Sequence, residues 1–148
     1  MEEFEVLDIS GDVGIKAFGD SRDEAFIRAA IGMYSLITNL DTVEERQSIS
    51  VSLGSGSLEG LLVSWLNELI FRFDAYGFIG KRIIVKEFYC EAGEPSGPQG
   101  CEFEAAIYGE EFNPERHEGK LLIKAATYHR LKVEKRDDRW EINVIFDI

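Results

Sequence analysis

Residues 57–73, with the sequence S-L-E-G-L-L-V-S-W-L-N-E-L-I-F-R-F, carry the most regular apolar pattern in the chain. Their apolar side chains step by three and by one, which is the spacing of an amphipathic helix. These side chains are Leu58, Leu61, Leu62, Trp65, Leu66, Leu69, Ile70 and Phe73. Ser57 suits the N-cap, and Gly77 suits the left-handed residue after the last turn. The segment therefore predicts a helix whose apolar side must pack against another layer.

A second helix is predicted on the N-terminal side of this segment. Residues 21–24, S-R-D-E, form a capping box, in which Ser21 accepts from a backbone N–H and Glu24 reaches back. Apolar residues then keep helical spacing as far as Leu40. Between the two helices, residues 47–53 alternate aliphatic side chains with serines, which predicts a half-buried strand.

Strand patterns fill the two ends of the chain. They cover residues 4–7, 13–18, 82–91, 101–112, 120–136 as one long or two short strands, and 139–146. Strands, two helices and then more strands predict an α+β fold. We expect one domain over residues 1–148, a sandwich of mainly antiparallel β-sheet with two amphipathic helices on one face.

The charge balance limits the classes of partner. The 148 residues include 16 basic and 28 acidic ones, a net charge of −12, and such a surface repels phosphate backbones. We therefore expect no direct nucleic-acid binding, and a cationic protein or a cation as partner. No apolar run reaches the roughly 18 residues of a membrane span, and the N-terminus is acidic where a secretory signal is basic. We expect a cytoplasmic protein without membrane contact.

The two cysteines bracket a stretch rich in glycine, proline and serine, so they could face each other across the mouth of a hairpin. Cys90 and Cys101 have neither C-x-x-C spacing nor neighbouring histidines, which excludes a typical zinc site. In a reducing cytosol we expect two free thiols rather than a disulfide.

Enzymatic motifs are scarce. Neither His117 nor His129 has a recognisable catalytic partner, and no G-x-S-x-G is present. Residues 54–57 precede a helix but lack the Lys-Ser/Thr ending of a phosphate-binding loop, which favours a plain turn. A hydrolase with paired Asp8 and Asp12 carboxylates is a third hypothesis, but nothing in their spacing separates their pKa values. We expect a protein that is not an enzyme.

Acidic groups near the two ends of the chain predict a candidate metal site. Asp12 follows Gly11 at a turn between strands, and Asp147 precedes Ile148 and its terminal carboxylate. If the first and last strands are neighbours, these three anions converge and raise each other's pKa unless a cation is present. Oxygen ligands suit Ca²⁺ or Mg²⁺. The alternative is a solvated turn and a solvated tail.

Lys124 interrupts the apolar run of residues 121–126. On a strand it would share a face with Leu122, Ala126 and Tyr128. One hypothesis is an edge-strand lysine that discourages aggregation. The other is a cation directed at a phosphate or at the acidic cluster.

Three stretches in the same order resemble the archease family. Residues 7–15, L-D-I-S-G-D-V-G-I, are similar to a family signature usually written L-D-H-T-A-D-V-G-I. The other two stretches are L-L-V-S-W-L-N-E-L at residues 61–69, and residues 113–148 with K-A-A-T-Y-H at 124–129. Ile9, Ser10 and Gly11 depart from the signature, so any role of the family's histidine is absent or moved, whereas Asp12 is retained.

The resemblance implies a non-catalytic partner of RtcB, the GTP-dependent RNA ligase of tRNA splicing and RNA repair. Such a partner promotes guanylylation of the ligase and multiple turnover. The resemblance also implies a divalent cation, Ca²⁺ before Mg²⁺, held by Asp12, Asp147 and Ile148, and it matches Lys124 to an important family lysine. An alternative function is a general chaperone or modulator of RNA-modifying enzymes such as methyltransferases. The loop at residues 91–100 receives no function.

Overall fold

The computed structural model describes residues 3–9, 11–91 and 100–148. The expectations that concern residues 1–2, Ser10 and the loop at 92–99 lie outside the described residues. The strands and helices in chain order are β1 (Phe4–Ile9), β2 (Asp12–Gly19), α1 (Arg22–Ile37), β3 (Gln47–Ser55), α2 (Leu58–Tyr76), β4 (Phe78–Glu91), β5 (Gly100–Glu111), β6 (Ala125–Ala126), β7 (Lys132–Arg136) and β8 (Arg139–Asp147).

The strands form two antiparallel sheets. In the five-stranded sheet the order is β1-β2-β8-β6, and β7 also pairs with β8, whereas the three-stranded sheet has the order β3-β5-β4. Both helices contact strands of both sheets. The predicted α+β class is confirmed, and the structure adds that the strands divide between two sheets. Within the described ranges, no helix combines the length and the apolarity needed to cross a membrane.

Both helices begin where their capping residues predict. The Ser21 side chain accepts from the Glu24 N–H at 3.1 Å, and the Ser57 side chain accepts from the Gly60 N–H at 3.0 Å. Gly77 ends α2 with φ of +71°, the left-handed conformation that glycine adopts without strain. The first helix ends at Ile37, because the chain turns extended at Thr38 before a short 3-10 helix at Leu40–Thr42.

The core lies where the helices meet both sheets. Residues 60–63 of α2 are all buried, so this helix is covered on more than one face, as expected for a helix between two sheets. The indole N–H of Trp65 donates to the Phe26 carbonyl at 3.1 Å and links the two helices. Gly32 lets α1 approach the five-stranded sheet closely, since a Cβ there would lie 3.0 Å from Ile15 Cγ2.

Residues 120–136 were predicted to form one long strand or two short ones, and they contain two short strands, β6 and β7. Lys124 lies just before β6, so the expectation that it belongs to a strand is wrong. The physical reason lies at the end of α1, where the N–H groups of Lys120 and Leu121 donate to the Ile37 and Leu36 carbonyls at 2.9 and 3.0 Å. Residues 120 and 121 thus cap helix carbonyls, and the chain joins β8 at Lys124, whose N–H donates to the Asp147 carbonyl.

The expectation of two free thiols is wrong. Cys90 and Cys101 are directly opposite in the β4–β5 register, with their Cα atoms 4.0 Å apart, and they form a disulfide. The prediction failed because it rested on compartment chemistry, whereas the hairpin register decides which side chains meet.

Reduction of this disulfide should lower the free energy of unfolding by roughly 2–3 kcal/mol, because it releases a short closed loop in the unfolded chain. Urea unfolding with and without dithiothreitol measures the change. The Cys90→Ser/Cys101→Ser double variant is the control and should not respond to the reductant. Two titratable thiols in denatured, unreduced protein would contradict the disulfide.

Candidate functional site

The registers of β2 and β8 bring Asp12 and Asp147 to the same end of the five-stranded sheet. The outermost pair of this register is Val13 with Phe146, and one step outward the next positions are Asp12 and Asp147. Opposite residues of an antiparallel pair project from the same face. Val13 and Phe146 are buried towards the helices, so the two exposed aspartates project from the other face.

Lys124 flanks Asp147 from the other side. Ala125 of β6 pairs with Asp147, and the Lys124 N–H donates to the Asp147 carbonyl at 2.8 Å. The Lys124 side chain is exposed. We refer to Asp12, Lys124, Asp147 and Ile148 as the tip, since the structure places all four at one end of the sheet.

The donors at the tip are oxygen atoms, which suits a hard cation such as Ca²⁺ or Mg²⁺. Within residues 3–9, 11–91 and 100–148, neither Asp12 nor Asp147 has a basic side chain within 4.0 Å. The described ranges contain no cluster of three or more His, Cys, Asp and Glu side chains that could hold a metal. The tip contributes two side-chain carboxylates, so the Ile148 backbone is the next source of oxygen ligands.

The register separates the two carboxylates of the hypothetical hydrolase. Asp8 pairs with Val13, whereas Asp12 pairs with Ile9. Because faces alternate along a strand, Asp8 projects from the face that carries Val13, and Asp12 projects from the opposite face. A single substrate bond on one face cannot be reached by both groups, which removes this pair as acid and base.

The turn before Asp12 depends on glycine. Gly11 has φ of +91°, a conformation that side-chain-bearing residues rarely adopt. Ile9, which stands where the family signature has histidine, is half-buried opposite Asp12. An aliphatic side chain therefore borders the tip at the position where an imidazole would supply a polar group.

Asn67 holds β6 in place, and the sequence patterns did not single it out. Its side-chain oxygen accepts from the Ala126 N–H at 2.8 Å, and its amide nitrogen donates to the Ala126 carbonyl at 3.4 Å. One side chain of α2 thus satisfies both backbone groups of a residue on a two-residue strand. Its sequence signal was its place in the stretch L-L-V-S-W-L-N-E-L at residues 61–69, which resembles the family.

A second missed feature is a buried cluster around Glu110. The carboxylate accepts from the Glu44 N–H at 2.6 Å and from the Arg116 guanidinium. His117 is also buried, and its Nδ1 accepts from the Asn113 N–H at 2.8 Å. Its Nε2 therefore carries the proton and donates to Glu110 at 3.1 Å. The sequence patterns predicted no catalytic partner for His117, and they did not reveal its structural partner, Glu110 of β5.

The Glu110 cluster fastens the start of the segment that leads to the tip. Burial alone would raise the pKa of Glu110, but hydrogen bonds from Arg116, the Glu44 N–H and His117 outweigh burial and lower it from 4.5 to about 2. Residues 113–117 are thereby attached to the end of β5. Both nitrogens of His117 are engaged, so the ring serves as an anchor and not as a free base.

The comparisons with known proteins agree on one family. The model of the Archease protein family (MTH1598/TM1083) matches residues 4–148. "Protein archease" of Pyrococcus abyssi is 36% identical over 149 residues, and that of Methanosarcina acetivorans is 34% identical over 147 residues. These alignments cover 100% and 99% of this chain, and 100% and 97% of the relatives.

Two solved structures are similar in fold. The solution structure of Methanobacterium thermoautotrophicum protein 1598 has a TM-score of 0.78 at 29% identity and covers 100% of both chains. The crystal structure described as an archease, possible chaperone, from Thermotoga maritima has a TM-score of 0.61 at 18% identity, with coverage of 96% and 94%. At that identity the second likeness concerns the fold alone.

The Asn67→Ala variant should lose about 1–3 kcal/mol of folding free energy, because two partly buried backbone groups of Ala126 lose their partner. Protection of the Ala126 amide against hydrogen exchange should fall in parallel. Glu68→Ala is the matched control on the same helix, since it removes only the Glu68–Arg72 ion pair, which is worth about 0.5 kcal/mol. Equal losses in the two variants would contradict the role of Asn67.

The Glu110 carboxylate should make stability depend on pH below about 5. Its pKa is lower in the folded protein, so its contribution is complete above 4.5 and is lost as pH falls towards about 2. The loss is on the order of 3 kcal/mol. Urea unfolding of wild type and of Glu110→Gln between pH 6 and 2 measures this loss of stability. A stability difference that does not shrink with falling pH would contradict this assignment.

Proposed function

The chain belongs to the archease family, and on that premise we propose that it is a non-catalytic activator of a GTP-dependent RNA ligase of the RtcB type. It promotes guanylylation of the ligase and repeated turnover in tRNA splicing or RNA repair. The observation that supports this proposal is the convergence of Asp12, Lys124 and Asp147 on one exposed end of the sheet. That end is accessible to a protein partner.

The first part of the mechanism concerns the acidic groups. Asp12 and Asp147 occupy neighbouring strands and project from one face, so their charges repel each other. A divalent cation, Ca²⁺ or alternatively Mg²⁺, held by these two side chains and by Ile148 would offset the repulsion and present positive charge to phosphate oxygens. The side chains would hold such an ion at the end of the sheet, where the hydrogen bond from the Lys124 N–H orders the Asp147 backbone.

The second part concerns Lys124. Its ammonium group is exposed, and no carboxylate of the described ranges lies within 4.0 Å of it. A lysine without a partner can stabilise the charge on the phosphates of GTP while the ligase attacks it. The backbone of Lys124 is fixed to β8, so the side chain starts from a rigid base.

Two features favour a partner protein over an enzyme. Both ring nitrogens of His117 are engaged inside the fold, and Asp8 and Asp12 project from opposite faces. The second candidate function is a chaperone or modulator of RNA-modifying enzymes such as methyltransferases. The Thermotoga maritima protein of similar fold is described as a possible chaperone. Stimulation of a purified ligase, free of other enzymes, separates the two candidates.

The tip variants Asp12→Asn, Asp147→Asn and Lys124→Ala should each reduce ligase guanylylation at least about tenfold, as expected for loss of a charge that contacts phosphate or metal. The measurement is the yield of covalent ligase–GMP from purified cognate ligase, GTP and divalent metal. Asp8→Asn is the matched control, because it neutralises an exposed carboxylate on the opposite face at the same end of the sheet.

Metal binding is measured separately by calorimetry with Ca²⁺ and with Mg²⁺. We expect the heat of metal binding to disappear in Asp12→Asn and in Asp147→Asn and to persist in Asp8→Asn. Tip variants that stimulate the ligase as well as wild type would exclude the tip as the working surface. A wild-type protein that stimulates no cognate ligase would overturn the activator function itself.

A further inference from the structure

Basic residues are concentrated in one segment of this acidic chain. Residues 120–136 contain six basic residues and one acidic residue, Glu134, a formal charge of +5 in a chain of net charge −12. The six are Lys120, Lys124, Arg130, Lys132, Lys135 and Arg136. The acidic surplus of the protein is therefore confined to the remaining residues, and the net charge does not describe this segment.

The fold places this segment along a single edge of the five-stranded sheet. β6 and β7 both pair with β8, on the side away from β2, so β1 forms the opposite edge. The pairs run from Ala125 with Asp147 to Arg136 with Arg139. Eight steps along β8 separate these two ends, which corresponds to about 27 Å. We call Lys124, Arg130, Lys132, Lys135 and the adjacent Tyr128 the basic edge.

The four cations of the basic edge are available for a ligand. All four are exposed, and no carboxylate lies within 4.0 Å of any of them in the part of the chain that the structure describes. Arg136 is different, because it pairs with Glu134 and Glu141 at 3.8 Å. Lys120 is different too, since its ammonium donates to the Ser35 carbonyl.

Protection of the sheet edge does not account for these cations. Lysines on an edge strand discourage edge-to-edge aggregation, but charge of either sign has that effect. The opposite edge of the same sheet, β1, carries the acidic Glu5 and Asp8. The edge strand β3 of the other sheet carries serines and no charged residue. The fourth edge, β4, carries three basic and two acidic residues, a formal charge of +1, against +5 for residues 120–136. Positive charge is therefore most concentrated at the basic edge.

Tyr128 adds an aromatic surface to the charges. Its side chain is 65% exposed, and it lies between Lys124 and Arg130 in the chain. Cations that follow a backbone, together with an exposed ring on which a base can stack, are the elements of sites for single-stranded nucleic acid.

We propose that the basic edge binds a single-stranded nucleic acid, with its cations on the phosphates and Tyr128 against a base. The net charge of the protein is compatible with such binding, since charges separated by more than about 10 Å are largely screened at 0.1 M salt. Acidic groups at both ends, Asp147 at the tip and Asp137 at the β7–β8 turn, limit the bound strand to the interval between them. This proposal goes beyond the activator function and does not rest on it.

Fluorescence anisotropy of a labelled 20-nucleotide RNA tests the proposal, with the same sequence as single-stranded DNA and as a duplex; the length follows from site sizes of about 4–16 nucleotides in comparable grooves. With about four phosphates neutralised, the logarithm of the binding constant should fall with a slope of about −3 against the logarithm of salt concentration. The Arg130→Glu/Lys132→Glu double variant should bind at least about tenfold more weakly. Lys81→Glu/Lys86→Glu on β4 is the matched control of equal charge and should change affinity less than about twofold.

Two further measurements keep the test decisive. Tyr128→Leu should weaken the binding of single strands about fivefold or more, because a stacked base is lost, and should leave the binding of the duplex unchanged. If Arg130→Glu/Lys132→Glu fails to fold by circular dichroism, Lys132→Gln/Lys135→Gln replaces it with the same expectation. Absence of binding at 50 mM salt, a concentration at which such contacts are strong, overturns the proposal, as does equal weakening by the β4 control.

The nature of the ligand is decided in the same assay. Tighter binding of RNA than of DNA indicates a contact with the 2′-hydroxyl. Equal binding indicates that only phosphates and bases are contacted. Both outcomes support the proposal. Polyglutamate that displaces the strand as effectively as unlabelled RNA, at equal charge concentration, means that the edge recognises acidic protein surfaces and overturns it. Lys124 is left unchanged throughout, so failure here is independent of the ligase assay.

Discussion

The insertion of β8 between β2 and the β6–β7 edge is the constraint on which the rest of the structure depends. Pairing of Val13 with Phe146 joins the beginning of the chain to its last strand. Backbone hydrogen bonds on both sides of β8 then determine where every neighbouring side chain lies. A shift of one residue would move Asp147 to the core face and expose Phe146. The buried apolar face therefore sets the register, and the register sets the tip.

Polar groups inside the fold hold the segment before β6 in a fixed position. Burial of the Glu110 carboxylate is unfavourable by itself, and hydrogen bonds from Arg116, His117 and the Glu44 backbone compensate for it. The Asn67 side chain likewise forms hydrogen bonds with the N–H and the carbonyl of Ala126. Neither residue is at the tip, yet both restrict the backbone that carries Lys124. The Glu44–Glu110 and Asn67–Ala126 contacts join residues that are far apart in the sequence. They therefore form only when the whole domain is folded.

Charge is distributed so that two different surfaces adjoin at Lys124. Among the residues that the structure describes, acidic groups without basic partners lie at the tip, and cations without acidic partners follow the edge of the same sheet. Short-range electrostatics allows both to operate in one small protein, because screening weakens the influence of one on the other beyond about 10 Å. The proposed action of the tip on a ligase and the proposed binding of a nucleic acid strand by the edge can thus be tested separately by substitution.

Local interactions account for what the sequence by itself determined. Caps at Ser21 and Ser57, the left-handed Gly77 and the strand and helix periods depend on residues within a few positions of each other, so one sequence shows them. The family likeness rests on short motifs for the same reason. The division into two sheets and the approach of Asp12 to Asp147 involve residues far apart in the sequence. The disulfide and the Glu110–His117 pair join residues 11 and 7 positions apart, but they depend on strand register and chain path and not on a local pattern. Only tertiary packing decided these, because the register that pairs them is selected by burial of the whole core.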